Sequence, residues 1–202
     1  MSAPLLRSGR QFWAAVRALL VATVALGLIY PLVVTGLAQV IAPGRADGSL
    51  RQADGQVVGS SLIGQGFVDA AGNPLPQYFQ SRPSASNYDG RASGGSNLGP
   101  DSEELARTIE QRRAEIAAFN GVPPAQVPAD AVTASASGLD PGISPAYAAI
   151  QVQRVARERG VPVSEVRRLV DEATVGRDLG FIGAPYVNVL ELNLGLDRLS
   201  AG

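Results

Sequence analysis

The chain has 202 residues, 17 arginines and 18 acidic residues, and it has no lysine, no histidine and no cysteine. This length suits one ordinary domain with an additional segment. Residues 45–202 carry 14 arginines against 18 acids, a net charge of −4. That balance argues against a nucleic-acid partner, because such proteins cluster positive charge on the globular part. Without cysteine, the chain has neither a disulfide framework nor a thiolate zinc site.

An uncharged segment near the N-terminus predicts a membrane-spanning helix. The run from Ala18 to Gly44 has 27 residues without a charged side chain, and about 20 apolar residues suffice to cross a bilayer core. A cleavable signal peptide is the alternative, since Arg7, Arg10 and Arg17 precede the run, but its apolar part would be only about 7 to 15 residues long. The same arginines predict a cytoplasmic N-terminus by the positive-inside rule.

This topology divides the chain into three parts. We expect a short cytoplasmic N-terminus at residues 1–11, a transmembrane helix region at residues 12–42, and a soluble extracytoplasmic domain at residues 43–202. In a bacterium, the chain would cross the inner membrane once and place its domain in the periplasm or outside the cell.

Small residues recur on the predicted span. Ala18, Ala22 and Gly27 would let a neighbouring helix approach closely, although alanine is simply common in this chain. Pro31 predicts a kink that does not end the helix, because other groups can satisfy the freed backbone. The span is therefore expected to pack against both lipid and another helix.

The first part of the exposed domain reads as turns and short strands. Residues 45–100 are rich in Gly, Ser, Asn and Pro, which suits turns joining short strands better than helices. Disorder is the alternative, but Phe67, Tyr78, Phe79 and Tyr88 provide aromatic bulk to bury.

The second part reads as three helices. Ser102 and Gly121 flank the first, Ser144 and Gly160 the second, and the third runs over 164–173. Apolar residues recur at helical spacing in each segment. The expected buried positions are Leu105, Ile109, Ile116 and Phe119 in the first, Ala149, Val152, Val155 and Ala156 in the second, and Val166, Leu169 and Val170 in the third.

The C-terminal segment reads as a strand. YVNVLELNLGL at 186–196 alternates leucine with polar residues, which is the period of a half-buried strand. Strands first, helices later and one returning strand predict an α+β fold, in which one N-terminal transmembrane helix precedes a single mixed α+β extracytoplasmic domain.

The composition excludes several kinds of active site. Without histidine there is no Ser-His-Asp or Cys-His arrangement, and the most frequent metal ligand is missing. Without lysine there is no phosphate-binding P-loop and no serine-lysine pair. We therefore expect no catalytic residue, no metal site and no enzyme activity of the chain by itself.

The loop TASASGLDPGISPAYAAIQVQ at 133–153 stands directly before a helix start. Ser144 and Pro145 begin the helix, while Gly138 and Gly142 allow turns. Free N–H groups at a helix start can bind a carboxylate or a phosphate, so an anion site is physically possible. Local capping is a sufficient explanation by itself.

Four blocks of the sequence follow the span in a recognisable order. They are GSSLIGQGF at 59–67, YFQSRPSASNYDGRASGGSNLGP at 78–100, VTASASGLDPGISPAYAAIQVQRVARERG at 132–160 and VNVLELNLGLD at 187–197. Together they resemble the C subunit of the bacterial Kdp-type potassium-transporting ATPase, over nearly the whole chain.

The resemblance implies an accessory role in a membrane complex. A channel-like subunit would carry potassium, a P-type ATPase subunit would hydrolyse ATP, and the small subunit would act as a catalytic chaperone that raises the pump subunit's affinity for ATP. It implies no tightly bound cofactor in this chain, because the complex handles ATP and potassium. The implied partners are those two subunits and the lipid bilayer.

The resemblance also carries over candidate residues for binding nucleotide or a partner. Gln151 is nominated for a polar contact because an amide both donates and accepts, and a structural bond to the adjacent loop is the alternative. The matching residues are Ser93, Gly94, Gly95, Ser96 and Asn97 in one loop, Ser137, Gly138, Leu139, Asp140 and Pro141 in another, and Gln151, Arg154 and Val155 on the helix.

The chain departs from the family pattern at three positions. Family members often have histidine where this chain has Gly142 and Ala173, and proline where it has Gln153. A histidine at those places is therefore not essential here, or this copy has lost it.

The predicted topology conflicts with direct ATP binding. ATP is cytoplasmic, whereas the arginine flank predicts an extracytoplasmic domain, so we expect any effect on ATP affinity to be indirect. The domain would cap the channel-like subunit near its ion entrance. The alternative is a stand-alone, membrane-anchored periplasmic protein that binds a ligand through the 133–153 loop. A hydrolase using Ser135 or Ser137 is disfavoured by the missing histidine and lysine.

Overall fold

The computed structural model describes residues 4–200, with side chains over 9–199. Two compact units divide the chain, Met1–Ser49 and Leu50–Gly202. Residues 1–3 and 201–202, which belong to the predicted cytoplasmic N-terminus and to the end of the predicted domain, lie outside the described residues. So does the Arg7 side chain that entered the topology prediction.

The first unit is a long helix followed by a short turn of helix. Helix α1 spans Pro4–Val24, a π-helical segment spans Ala25–Ile29, and α2 spans Tyr30–Ile41. Within the described residues, Gly9–Ile41 is the one stretch long and apolar enough to cross a membrane. The short helix α3, Pro43–Ala46, follows.

The long helix continues through Pro31, as predicted. Pro31 lies in the first turn of α2, directly after the π-helical segment. Proline lacks an N–H donor, and its ring clashes with the carbonyl four residues earlier in an α-helix. The wider π turn just before it can accommodate both features without ending the helix.

The second unit begins with a β-hairpin. Strands β1 (Leu50–Ala53) and β2 (Gln56–Ser60) pair in antiparallel fashion. Asp54 and Gly55 join them with φ values of 51° and 76°, both in the left-handed region. An Asp-Gly pair is favoured in such two-residue turns, because their twist matches that of the strands.

The segment after this hairpin contains fewer strands than predicted. Over residues 61–102, all of which the structure describes, the chain forms turns and one isolated bridge between Val68 and Pro74. Phe79 is nevertheless fully buried, and the Phe67 and Tyr78 ring centroids lie 5.3 Å apart. The segment is packed through its aromatic side chains without forming a sheet.

The first predicted helix is confirmed as α4, Glu103–Asn120. Ser102 accepts a hydrogen bond from the backbone N–H of Leu105, and Gly121 ends the helix with a φ of 65°. Both caps are local to the helix, which explains why the sequence located its ends. A 3-10 turn at Pro124–Gln126 and the short helix α5, Ala129–Val132, follow without having been predicted.

The other two predicted helices are α6, Pro145–Arg159, and α7, Val163–Glu172. Their expected apolar faces are buried, with one correction on α6. Ala149 is exposed, and Tyr147 and Ala148 are buried in its place. The buried face extends toward the start of the helix because Tyr147 packs its ring into the core.

A small sheet lies among these helices. Strands β3 (Gly142–Ile143) and β4 (Thr174–Val175) both pair in antiparallel fashion with β5 (Tyr186–Asn188), which lies between them. The helices and the two small sheets together confirm the predicted α+β fold class.

The prediction of a C-terminal strand is wrong beyond residue 188. Only Tyr186–Asn188 is a strand, and Val189–Ser200 forms helix α8. The Asn188 side-chain oxygen accepts a hydrogen bond from the Glu191 N–H at 3.1 Å, which caps the new helix. Leucine and glutamate also favour helix, so the alternation of leucine with polar residues did not indicate a strand here.

The burial of α8 follows a helical period. Its buried side chains recur at spacings of three and four, and Asn193 is among them although the strand pattern had placed it on the polar side. The main core consists of Phe79, Ala117, Val127, Ala131, Val132, Ile143, Tyr147, Ala148, Val152, Val155, Ala156, Val166, Leu169, Val170, Val187, Val189, Leu192 and Leu196.

Candidate functional site

Arg154 of α6 lies in the core and binds four neutral oxygen atoms. Its Nε donates to Asn120 Oδ1 at 3.0 Å, and its Nη2 donates to Gln151 Oε1 at 2.8 Å. Its Nη1 donates to the backbone carbonyls of Pro76 and Tyr78, the latter at 3.0 Å. The side chain is only 1% exposed, so these contacts replace its water shell.

None of the acceptors of Arg154 is a carboxylate. Burial lowers the pKa of Arg154 to about 10, so the guanidinium still carries its charge at neutral pH. The Phe119 ring lies 4.4 Å from its central carbon and contributes a cation–π contact. A buried charge is tolerated only when its hydrogen bonds are made, which fixes the positions of all the surrounding acceptors.

Gln151, one turn earlier on α6, binds the same loop segment. Its Oε1 accepts from the Gln80 N–H at 2.7 Å, and its Nε2 donates to the Gln80 carbonyl at 3.1 Å. Asn193 of α8 repeats this pattern on the preceding residue, because its Oδ1 accepts from the Phe79 N–H at 2.9 Å and its Nδ2 donates to the Phe79 carbonyl at 3.0 Å. Two side-chain amides thus replace the neighbouring strands that this segment lacks.

These contacts bear on the predicted roles of Gln151 and Arg154. Gln151 is 0% exposed, and both polar atoms of its amide are bound within the domain. A contact with nucleotide requires the segment at 76–80 to move away first. The bond that Gln151 makes is structural, but it joins the helix to Gln80 and not to the loop that precedes the helix. The nucleotide contact stays a prediction.

The two predicted glycine loops meet in the structure. The Gly94 N–H donates to the Ser137 carbonyl at 2.8 Å, and Ser93 Oγ donates to the same carbonyl at 3.0 Å. A Cβ atom on Gly138 would lie 2.7 Å from the Gly94 carbonyl oxygen, and one on Gly95 would lie 2.9 Å from the Ala136 oxygen. The loops are therefore a single interlocked unit, and their glycines permit the close approach.

The chain around Asp140 is held by side chains from the earlier loop. Arg82 Nη1 donates to Asp140 Oδ2 at 2.9 Å, and Ser137 Oγ donates to Asp140 Oδ1 at 3.3 Å. Ser84 Oγ donates to the Gly138 carbonyl at 2.7 Å. Next to Asp140, the Leu139 carbonyl accepts from the backbone of residue 64 at 2.9 Å. This network fixes the loop that precedes β3.

Three of the predicted residues face solvent at this junction. Ser96 and Asn97 are exposed, and Asn97 has a φ of 53°, a conformation that asparagine tolerates better than most residues. Ser93 and Ala136 are exposed as well. The junction thus presents a small polar surface while its glycines lie underneath.

The start of α6 already holds an anion. Ser144 caps the helix by accepting from the Tyr147 N–H at 3.0 Å. The Asp130 carboxylate of α5 accepts from the Ser144 N–H at 2.7 Å and from Ser144 Oγ at 2.8 Å. The helix N-terminus therefore pairs with a carboxylate from within the chain, as its partial positive charge favours.

The structure also describes the three positions at which the chain is expected to depart from the family pattern. Gly142 pairs with Asn188 in the sheet, and a Cβ atom there would lie 2.4 Å from the Tyr186 ring. Any larger residue at position 142 requires that ring to shift. Ala173 follows α7 and its carbonyl accepts from the Asn188 N–H at 3.0 Å, while Gln153 is exposed on α6.

Three surface clefts lie away from the residues nominated for binding nucleotide or a partner. One of about 490 Å³ borders Ala149, Val152 and Val170, one of about 380 Å³ lies between α7 and α8, and one of about 260 Å³ borders Phe67 and Tyr78. None of the three is lined by a residue that the resemblance nominated for binding nucleotide or a partner, although Ala149 and Val152 belong to the 133–153 segment of the ligand-binding alternative. Among the described residues, no group of three acidic side chains is placed to hold a metal ion.

The residues predicted to pack in the membrane all lie on the long apolar helix. Ala18 and Ala22 are in α1, and Gly27 is in the π-helical segment; all three are exposed in the isolated chain. A Cβ atom on Gly27 would meet only the Thr23 methyl group, at 3.8 Å. This glycine has room for a side chain, so its use in packing stays a prediction.

Several residues of this arrangement were not anticipated from the sequence. Asn120, Asp130 and Asn193 each make bonds that hold another element, and so do Gln80 and Arg82. A signal existed for Asn120 and Asn193, because each is a polar residue on the apolar side of a helix once the helix is known. Asp130 carried no comparable signal, since α5 was not predicted.

Comparison with known proteins identifies the family of the chain. The model of the KdpC family, described as "K+-transporting ATPase, c chain", matches residues 12–198. Proteins named "Potassium-transporting ATPase KdpC subunit" are similar along most of their length. The one from Streptomyces coelicolor is 48% identical over 220 aligned residues, covering 100% of this chain and 98% of its own.

Two further relatives carry the same name. The protein from Kineococcus radiotolerans is 54% identical, with 88% of each chain covered. The protein from Nitratidesulfovibrio vulgaris is 52% identical, with 86% of each chain covered. With a family match across almost the whole sequence and relatives at this level of identity, the chain belongs to the KdpC family.

Proposed function

We propose that this chain is the accessory subunit of an ATP-driven, high-affinity potassium uptake complex. Its relatives are named as subunits of a potassium-transporting ATPase, which makes a component of that complex the natural assignment. In this proposal, a channel-like subunit carries potassium and a P-type ATPase subunit hydrolyses ATP. The chain itself binds no cofactor tightly and catalyses no reaction.

One observation carries the proposal of an indirect role. Gln151 and Arg154 are the side chains nominated for binding nucleotide. Their hydrogen bonds go to residues 76–80, to Asn120 and to each other. Such residues hold the shape of the domain. The domain then acts through its outer surface, as a catalytic chaperone that stabilises the assembled subunits.

The charge of the N-terminal flank supports the same view. Arg10 and Arg17 precede the uncharged run, so the positive-inside rule favours a cytoplasmic N-terminus and a periplasmic domain. ATP is on the other side of that membrane. A higher ATP affinity of the pump subunit would then arise as a coupling free energy between distant sites.

Two surfaces of the chain are available for the partner subunits. Ala18, Ala22 and Gly27 on the long helix suit a neighbouring transmembrane helix. The exposed polar surface at Ser96 and Asn97 suits the channel-like subunit, near its ion entrance. The first contact would anchor the subunit, and the second would bias the conformations from which the pump works.

Co-purification tests the accessory role. A C-terminal tag and mild detergent are expected to recover a channel-like subunit and a P-type ATPase at a fixed ratio. The complex that lacks this chain should then have a weaker apparent affinity for ATP. Recovery of the chain alone from crosslinked membranes would instead favour the stand-alone, membrane-anchored ligand-binding protein.

Thiol labelling tests the topology, because the natural chain has no cysteine. Ala125 is exposed on the 3-10 turn of the domain, so Ala125→Cys offers one reactive thiol. A membrane-impermeant maleimide is expected to label it in intact cells without the inner membrane being opened. Labelling only after the inner membrane is opened would place the domain in the cytoplasm and contradict the indirect mechanism.

A further inference from the structure

The chain between β4 and β5 forms a small, well-defined hairpin. Asp178 and Ile182 exchange two backbone hydrogen bonds, of 3.0 and 2.9 Å. Leu179, Gly180 and Gly183 adopt φ values of 52°, 83° and 80°, which shape the tight turn. We call residues 176–185 the apolar hairpin. Because its backbone bonds are already made, it can contact another surface without first being ordered.

The tip of the apolar hairpin is unusually exposed. Leu179 is 83% exposed and Phe181 is 70% exposed, the two highest values among the large apolar side chains described outside the long helix. Val40, on the lipid-spanning helix, is also 83% exposed. Ile182 adds a third exposed apolar side chain. Exposed apolar clusters mark surfaces that contact something else.

The charges around the tip are balanced. Arg177 and Asp178 stand next to each other at its base, and the following residues 179–186 carry no charge. Tyr186, partly exposed where β5 begins, has the mixed character that favours a membrane–water interface. The hairpin therefore suits an apolar environment and has no net charge that would select an acidic or basic partner.

The size of the tip favours lipid over a protein partner. Three protruding side chains offer a few hundred Å², whereas a stable protein interface needs about 800 Å² on each side. Insertion into lipid requires no matching groove. The chain also carries its own apolar helix, and residues 42–49, the connector to β1, reach no further than about 30 Å. A domain tethered so closely meets lipid at a high effective concentration, so a weak contact is sufficient.

We propose that the apolar hairpin inserts Leu179, Phe181 and Ile182 into the boundary between headgroups and acyl chains of the bilayer that anchors the chain. This second contact would limit the tumbling of the domain on its tether and hold it in a restricted orientation. The inference depends on the membrane anchor and not on the proposed subunit role, so each can fail without the other.

Depth-sensitive fluorescence of the full-length chain tests this insertion. The Leu179→Cys variant is labelled with an environment-sensitive dye and reconstituted into phosphatidylcholine vesicles, with or without a lipid that carries a nitroxide near the headgroup. Ala125→Cys, labelled in the same way, is the matched control. We expect nitroxide quenching at position 179 to exceed that at position 125 by about twofold or more, with a blue shift of the dye. Equal quenching at the two positions would overturn the proposal.

A second variant separates insertion from mere proximity. Adding Phe181→Asp to the Leu179→Cys chain places a charge in the tip, and we expect the quenching to fall to the level of the control. Phe181 is exposed, so the circular dichroism spectrum should not change. Unchanged quenching in this variant would contradict insertion of the tip.

Two comparisons distinguish lipid from other contacts. Because the charges of Arg177 and Asp178 cancel, anionic phosphatidylglycerol vesicles should give the same quenching as phosphatidylcholine vesicles. Quenching only with anionic lipid would mean that charge, and not insertion of the apolar tip, brings the hairpin to the membrane. If the dye at position 179 is unquenched in vesicles but shielded from a soluble quencher in the purified native complex, the hairpin binds a protein partner and the lipid proposal is wrong.

Discussion

Gln151 and Asn193 bind the backbones of two consecutive residues, Gln80 and Phe79, and each amide uses its oxygen and its nitrogen on the same residue. One amide comes from α6 and the other from α8. The segment between them therefore has the hydrogen bonds of a central strand without lying in a sheet. Arg154 adds bonds to the carbonyls of Pro76 and Tyr78.

Removing the Gln151 amide is expected to destabilise the domain. In Gln151→Leu, the Gln80 N–H and carbonyl lose their partner inside the protein, and each unsatisfied buried group costs about 1–3 kcal/mol. We expect the free energy of unfolding of the full chain in detergent to fall by about 2–4 kcal/mol. Chemical unfolding followed by circular dichroism measures it.

The neighbouring Gln153 provides a matched control on the same helix. Its side chain is exposed, so Gln153→Leu should change the free energy of unfolding by no more than about 0.5 kcal/mol. If Gln151→Leu left stability unchanged but weakened the ATP affinity of the assembled complex, Gln151 would be a nucleotide contact and not a structural one.

The close approach of the two glycine loops predicts a large effect of Gly138→Ala. Gly138 has a φ of 72°, and its new Cβ would lie 2.4 Å from Ser86 Oγ and 2.7 Å from the Gly94 oxygen. The strained backbone and the overlap together should lower the free energy of unfolding by about 3 kcal/mol or more. Thermal unfolding of the full chain measures this loss.

Gly121→Ala isolates the backbone contribution. Gly121 has a similar φ of 65°, but nothing lies within 4 Å of its added Cβ. We expect a loss of only about 1 kcal/mol there. Equal losses in the two variants would mean that the loops separate easily and do not form an interlocked unit.

The cap of α6 should contribute measurably to stability. Ser144→Ala removes the acceptor for the Tyr147 N–H and a donor to Asp130, and losing such a cap costs about 1–2 kcal/mol. Ser164 lies exposed in the first turn of α7 and is not its cap, so Ser164→Ala is the control. Urea unfolding should separate the two variants; indistinguishable midpoints would rule out a capping role for Ser144.

Alkaline pH should destabilise the domain through Tyr88. Burial raises the pKa of Tyr88 from 10.0 to about 12. A group whose pKa is raised on folding stabilises the folded state below its unfolded pKa, and this contribution disappears as the pH rises through the folded pKa. Between pH 10 and pH 12, we expect the free energy of unfolding to fall by up to about 3 kcal/mol from this residue.

Tyr88→Phe checks the assignment of this pH effect. At pH 7 the variant should lose about 1 kcal/mol, because the Tyr88 hydroxyl donates to the Arg82 carbonyl. Above pH 10 its stability should fall less steeply than that of the natural chain. Burial also raises the pKa of Tyr147 and of Tyr78, so these two residues contribute to the remaining slope. Identical slopes would mean that Tyr88 does not titrate with unfolding.

The sequence located those elements whose signals are local. Ser102 and Gly121 end α4, and Ser144 and Gly160 end α6, through contacts within a few residues. The same local logic was available for α8, where Asn188 precedes Glu191 by three residues. There the leucines also alternate with the period of a strand, and this pattern competes with the capping signal.

The sequence predicted which residues belong to the candidate site, but not which of them contact each other. The sequence nominated Gln151, Arg154 and the loops at 93–97 and 137–141, and the structure joins the two loops directly. The sequence did not reveal that the backbone partners of Gln151 and Asn193 lie 71 and 114 residues away along the chain. Contacts between residues so distant leave no mark on the local pattern.

By itself, the sequence determined the apolar span, the helices with local caps, the absence of histidine and lysine chemistry, and the family. These follow from side chains acting on their own stretch of backbone, or from composition. Only the tertiary structure decided that the anion at the start of α6 is Asp130, that Arg154 is a buried cation held by neutral oxygens, and that the hairpin at 176–185 projects its apolar tip. Those outcomes depend on which distant groups are brought together, because burial and hydrogen bonding are set by the packed neighbours.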